Sequence, residues 1–241
     1  MCKMGIGAAK VDAVLTTDQF LPGSQVEGRI DIMAGDVEQE VAAIHLKLRT
    51  LAKSEGDDVD LTLSHIMDQY TLCEAFTLKP GEERSMEFGF TLHPETPVTV
   101  LDIPDNRCKV WLETSLDIEM AMDPKDRDYL HIHPTPVITH FIEAMTQSGF
   151  QMVKADVEKG FLHGDGFESI SGCYQEMEFK PTGLLGGIRI QEVELSFIPE
   201  QDRTHVLVEL DRTFGGDGYR SFTLSSQASY GEVAGIISSM L

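Results

Sequence analysis

The chain has 241 residues and carries 19 Lys plus Arg against 40 Asp plus Glu, a formal net charge of −21 near neutrality. A surface this acidic repels phosphate backbones and anionic lipid, so nonspecific binding of nucleic acid or of an acidic membrane face is excluded as a function class. The hydrophobic content of 41% lies near the globular norm, which separates the acidity from disorder.

In chain order, Met1 to Gly7 lacks the apolar run and cleavage site of a secretory signal, and no stretch reaches the roughly 20 apolar residues of a membrane helix. The expectation is a cytoplasmic protein with no integral membrane association. Cys2, Cys73, Cys108 and Cys173 lie far apart without a C-x-x-C pair, as idle reduced thiols would. Val26 to Ile32 alternates apolar and polar residues at strand period. So does Ile44 to Leu51, with Ile44, Leu46 and Leu48 on the buried face and the basic residues outside. That strand turns at the acidic Ser54 to Asp58 and returns through Val59 to Leu63 as a long hairpin. Further strands are expected at Arg84 to Leu92, Cys108 to Ile118 and Asp128 to Ile132. Together they predict an antiparallel β-sandwich over residues 1–130.

Breaks are expected at Asp123 to Asp128 and again at His133-Pro134-Thr135-Pro136. Thr135 can cap a helix that begins at Pro136 and buries Val137, Ile138, Phe141, Ile142 and Met145, stopping at Ser148-Gly149. Strands resume at Gln151 to Val157, Cys173 to Phe179, Ile188 to Phe197, Thr204 to Leu210 and Tyr219 to Leu224. Ser229 and Glu232 fit a capping box before a short final helix. Residues 131–241 therefore read as a second sandwich with a short C-terminal helix. Acidic residues predominate on both sides of residue 130, so the acidity belongs to folded surfaces and not to a tail.

Asp18-Gln19-Phe20-Leu21-Pro22-Gly23, followed by Val26, Gly28 and Ile30, resembles the first hairpin of arrestin-like proteins. Pro22 fixes one turn dihedral and Gly23 admits positive φ. With Gly5 to Asp12 before it, and Leu78-Lys79-Pro80-Gly81, Pro94-Glu95-Thr96-Pro97, Trp111 to Thr114 and Asp123 to Tyr129 after it, the series resembles the bacterial sporulation-control protein family, usually called SpoOM. The resemblance implies an all-β, arrestin-like tandem of two antiparallel sandwiches and a non-catalytic regulatory role in the cytoplasm. It carries no enzymatic residues and no cofactor.

His131 and His133 stand two apart, so on a strand both rings leave the same face, a spacing that suits zinc, nickel or copper. Asp126, Asp128 or His140 could supply a third ligand; the bland alternative is two polar side chains on a solvent face. Asp57, Asp58 and Asp60 lack the spacing of a calcium loop and read as a solvated hairpin tip. Asp123, Lys125, Asp126, Arg127 and Asp128 are candidates for an ion-pair network at an interdomain hinge spanning Asp123 to Pro136, or for an exposed charged turn. The glycine runs at 183–187 and 215–218 lack the Lys-Ser/Thr of a phosphate cradle, and G-x-S-x-G and H-E-x-x-H are absent. The leading expectation is an adaptor that meets a protein partner, a basic one by charge, on sheet edges or in the interdomain groove. The rivals are a homo-oligomer built on the same edges and a metal-dependent sensor or enzyme using His131 and His133.

Overall fold

The computed structural model describes residues 9–54, 61–118, 123–183, 190–213 and 218–241. The strands of the first half are β1 (Lys10–Leu15), β2 (Gln19–Phe20), β3 (Gln25–Met33), β4 (Gln39–Ser54), β5 (Leu61–Thr71), β6 (Phe76–Leu78), β7 (Glu83–Thr91), β8 (Asp105–Asn106), β9 (Val110–Ile118) and β10 (Lys125–Ile132). The helix α1 (Pro136–Gln147) leads into β11 (Phe150–Lys159), β12 (His163–Gly164), β13 (Phe167–Glu168), β14 (Cys173–Pro181), β15 (Ile190–Pro199), β16 (Arg203–Arg212), β17 (Gly218–Ser225) and α2 (Tyr230–Met240).

The alternation read from the sequence sets the faces of these strands. In β4, Ile44, Leu46 and Leu48 are fully buried, and the residues that alternate with them, His45, Lys47 and Arg49, are partly exposed. Burying each such side chain contributes about 1.5–3 kcal/mol. A small antiparallel sheet, β1-β3-β7, lays Val26, Ile30, Ile32, Phe88 and Phe90 over this face. Gly23 takes the positive φ of 76° that the Pro22-Gly23 turn requires. The large sheet runs β17-β16-β15-β14-β11-β4-β9-β10-β2, with β5 and β6 also on β4 and β8 on β11. Most pairings are antiparallel. The exceptions are β2 on β10 and β11 on β4 and β8, all short parallel ladders.

In the second half, α1 and α2 pack on the apolar face of β11 and β14–β17, where Phe141 meets Phe197 edge to face at 5.4 Å. Both helix starts follow the sequence. Thr135 Oγ1 accepts from the Ile138 N–H, and Ser229 and Glu232 form the reciprocal capping box. On the opposite face the β12–β13 hairpin stacks Phe167 on His205 at 4.5 Å. The acidic tip at 55–60, with Asp57, Asp58 and Asp60, and the glycine-rich stretches 184–189 and 214–217 lie outside the described residues.

Gly28 shows how tightly the small sheet closes. A Cβ there would lie 2.7 Å from the Val14 carbonyl oxygen and 2.8 Å from Phe88 Cζ. Because one obstacle is backbone, Gly28→Ala is expected to cost about 1–3 kcal/mol, visible as a lower melting temperature.

Candidate functional site

One face of the large sheet, the face turned away from the hydrophobic core, carries rows of charged side chains. In the first half, cross-strand register sets Arg49 opposite Trp111 and Trp111 opposite Tyr129. The next rows are Lys47, Glu113 and Arg127, then His45, Ser115 and Lys125. Glu113 is the acid at the centre, 3.2 Å from Arg49 Nη2 and 3.7 Å from Lys125 Nζ. The Arg127 guanidinium lies over the Trp111 ring, 4.9 Å from its centroid. Among the described residues, neither Lys47 nor Arg127 pairs with a carboxylate.

This cationic strip meets the second half where Lys53 Nζ, on β4, stands 3.2 Å from Glu158 Oε1, on β11. Beyond that pair the same face turns acidic. Asp156 stands opposite Glu176. Glu178 stands opposite Glu194, which stands opposite Glu209, and Glu192 stands opposite Asp211. Like charges directly opposite one another on a sheet are destabilising. The compensating cations are Lys154, 2.9 Å from Asp156 and 3.7 Å from Glu178, and Lys180, 2.8 Å from Glu178 and 3.1 Å from Glu192.

The titration behaviour follows this distribution. Burial, then Glu194, Glu158 and Asp156, push the Glu176 carboxyl up to about 8. Burial and Glu209 push Glu194 up to about 7. Burial works in the same direction on Glu178, but Lys180 and Lys154 outweigh it and hold that carboxyl below its ordinary value. Two carboxylate trios, Asp156 with Glu158 and Glu176, and Glu178 with Glu192 and Glu194, have oxygens within 4.8 Å of one another. Lysine ammonium groups occupy the cationic role in this lattice.

The halves are also joined by neutral contacts. Gln175 Oε1 accepts from the Val98 N–H at 2.9 Å, and its Nε2 donates to the Val98 carbonyl at 2.8 Å. The Glu95 carboxylate accepts from the N–H groups of Ile170 and Ser171 at 2.9 Å each. His65 Nε2 lies 2.8 Å from the Ser171 carbonyl. Gln175→Leu strands both backbone groups of Val98 in a buried setting and is expected to cost about 2–3 kcal/mol, read as a drop in melting temperature. The sequence carried a signal for this residue: Gln175 is the polar member of an inward row with Cys173, Met177 and Phe179.

The residues singled out at 123–133 are dispersed. The expected break at Asp123 to Asp128 is corrected, because Lys125–Ile132 form β10 in register with β9. Its sequence hides this: Lys125, Arg127 and Tyr129 face outward while Asp126 and Asp128 turn inward, so charge sign alternates where hydropathy does not. Within this set, the expected network among Asp123, Lys125, Asp126, Arg127 and Asp128 is not what their main contacts build. Asp123 accepts from the Ile118 N–H at 3.2 Å, Asp126 from the Ala13 N–H at 3.0 Å, and Lys125 reaches Glu113. Asp128 is pushed up to about 7 by burial, then by Asp126 and Asp12. His131 and His133 each take a separate partner, Asp18 at 3.6 Å and Gln19 at 2.6 Å, while His140 faces the Ala228 carbonyl. Asp126 and Asp128 turn away from both rings, so the structure does not bring the expected third ligand to them. Cys108 and Cys173 are buried, and burial pushes their thiols up to about 12 and about 11, so both stay protonated at neutral pH.

The element order, strands throughout with two helices, is that of an all-β, arrestin-like protein. The family model described as SpoOM protein matches residues 1–214, and the chain belongs to that family. It is 32% identical over 212 residues to the sporulation-control protein Spo0M of Bacillus subtilis (strain 168), covering 88% of this chain and 79% of that one. The crystal structure of Spo0M from Bacillus subtilis superimposes with a TM-score of 0.84 at 28% identity, covering 98% of each chain. No helix among the described residues is long and apolar enough to cross a membrane.

Proposed function

We infer that this protein is a non-catalytic regulatory adaptor of the sporulation-control type, acting in the cytoplasm through contacts with another protein. The family membership supports the regulatory role. The observation that supports this docking mode is β17, the end strand of the large sheet, which among the described residues pairs with β16 alone. A strand at a sheet edge can accept an added strand, and an acidic chain favours a basic one. The groove between the two halves is the second docking surface. In-cell crosslinking with mass spectrometry tests this reading. The expected result is a stoichiometric protein partner linked to residues near β17 or that groove; capture of no such partner overturns it.

A further inference from the structure

The charged face carries two complementary patches on one surface. On β4, β9 and β10, cations outnumber acids, and Lys47 and Arg127 are left without a carboxylate among the described residues. On β14–β16, carboxylates face carboxylates across the strands, and among the described residues Lys154 and Lys180 are the cations paired with them. Lys53 and Glu158 form an ion pair where the patches meet. In a chain of net charge −21, such segregation leaves unspent cations at one end and surplus acids at the other.

We propose that two copies of this chain associate through this face, turned end for end, so that the cationic strip of each meets the acid lattice of the other. The arrangement is closed and two-fold, the commonest symmetry of soluble oligomers. Long-range repulsion between two acidic copies is screened beyond about 8 Å at physiological ionic strength, whereas ion pairs at contact distance are screened far less. The lattice gains as well, because incoming arginine and lysine side chains bring a counter-charge to Glu194 and to Glu209, which accepts from the Tyr219 hydroxyl and, among the described residues, forms no ion pair.

Sedimentation velocity across a concentration series near physiological ionic strength tests this. The wild-type chain is expected to show a concentration-dependent dimer. Lys47→Glu with Arg127→Glu, and separately Glu194→Lys with Glu209→Lys, are each expected to weaken it by roughly a hundredfold or more. In the second pair the lysine at position 194 stands opposite Glu178, which offsets the two lysines facing each other, and a melting curve of each variant confirms that it folds. An equimolar mixture of the two variants is expected to restore the dimer, because each then offers the charge the other requires. A wild-type chain that is monomeric throughout, or variants that dimerise as the wild type does, overturns the proposal. The adaptor reading stands apart, since a strictly monomeric chain can still be crosslinked to a partner.

Discussion

Lys154→Met is expected to destabilise the protein by about 3 kcal/mol at pH 8, because it removes one member of a largely buried pair and leaves the other charged. Lys154 lies 2.9 Å from Asp156, whose side chain is 7% exposed, and also reaches Glu178. Without it, Asp156 faces Glu176 across the strands with no cation at its oxygen. For a chain of this length the loss corresponds to a melting temperature lower by about 6–12 °C. Adding Asp156→Asn to Lys154→Met is expected to recover most of the loss at pH 8. A defect that the second substitution leaves unchanged would show that packing, not charge, is the cause.

The second large effect is the pH dependence of the wild-type chain. Glu176, Glu194 and Asp128 have folded-state values near 8, 7 and 7, all above their ordinary ones. Between the unfolded and folded values the native state holds more protons, so stability is greatest at the acid end of this window and is lost as pH rises. The melting temperature is therefore expected to fall from about pH 5 to pH 9. Glu178, Glu200 and Glu232 are shifted the other way, and their contribution is lost below pH 5 as they protonate. Glu176→Gln is expected to flatten the alkaline limb and to gain about 1–3 kcal/mol over the wild type at pH 9, with little gain at pH 5. Melting curves over a pH series check both slopes. Because burial is the largest cause at Glu176, a variant that keeps the full alkaline slope would place the controlling proton elsewhere.

The parts of the fold that depend on local rules were legible in the sequence. Ile44, Leu46 and Leu48 declare their strand and its face by alternation. Thr135 with Pro136, and Ser229 with Glu232, declare the two helix starts by capping chemistry. The sequence motifs also pointed to the SpoOM family that the comparisons establish. The acid lattice was not legible, because Glu178, Glu194 and Glu209 are far apart in the chain and become neighbours only through strand order and register. β10 was misread at its start because Lys125 to Asp128 alternates charge sign, which a hydropathy pattern cannot register. His131 and His133 met the spacing rule for metal ligands, but spacing along a strand says nothing about what approaches from neighbouring strands, here Asp18 and Gln19.

The strand β4 is 16 residues long and is bonded to β9 on one edge and to β5 and β6 on the other, with its last turn of backbone facing β11. It works as a shared beam. Unzipping the first half requires breaking long ladders on this strand, while the second half meets it where Glu158 pairs with Lys53, and Gln175 and Glu95 tie the far side of the joint. Heat should therefore melt the chain in one calorimetric step, and the amides of β4 should be among the slowest to exchange with deuterated solvent. A chain cleaved between β10 and α1 would stay together as one particle, its pieces held by the short β8–β11 and β4–β11 ladders and by the side chains of Lys53, Glu95 and Gln175 without a covalent tether.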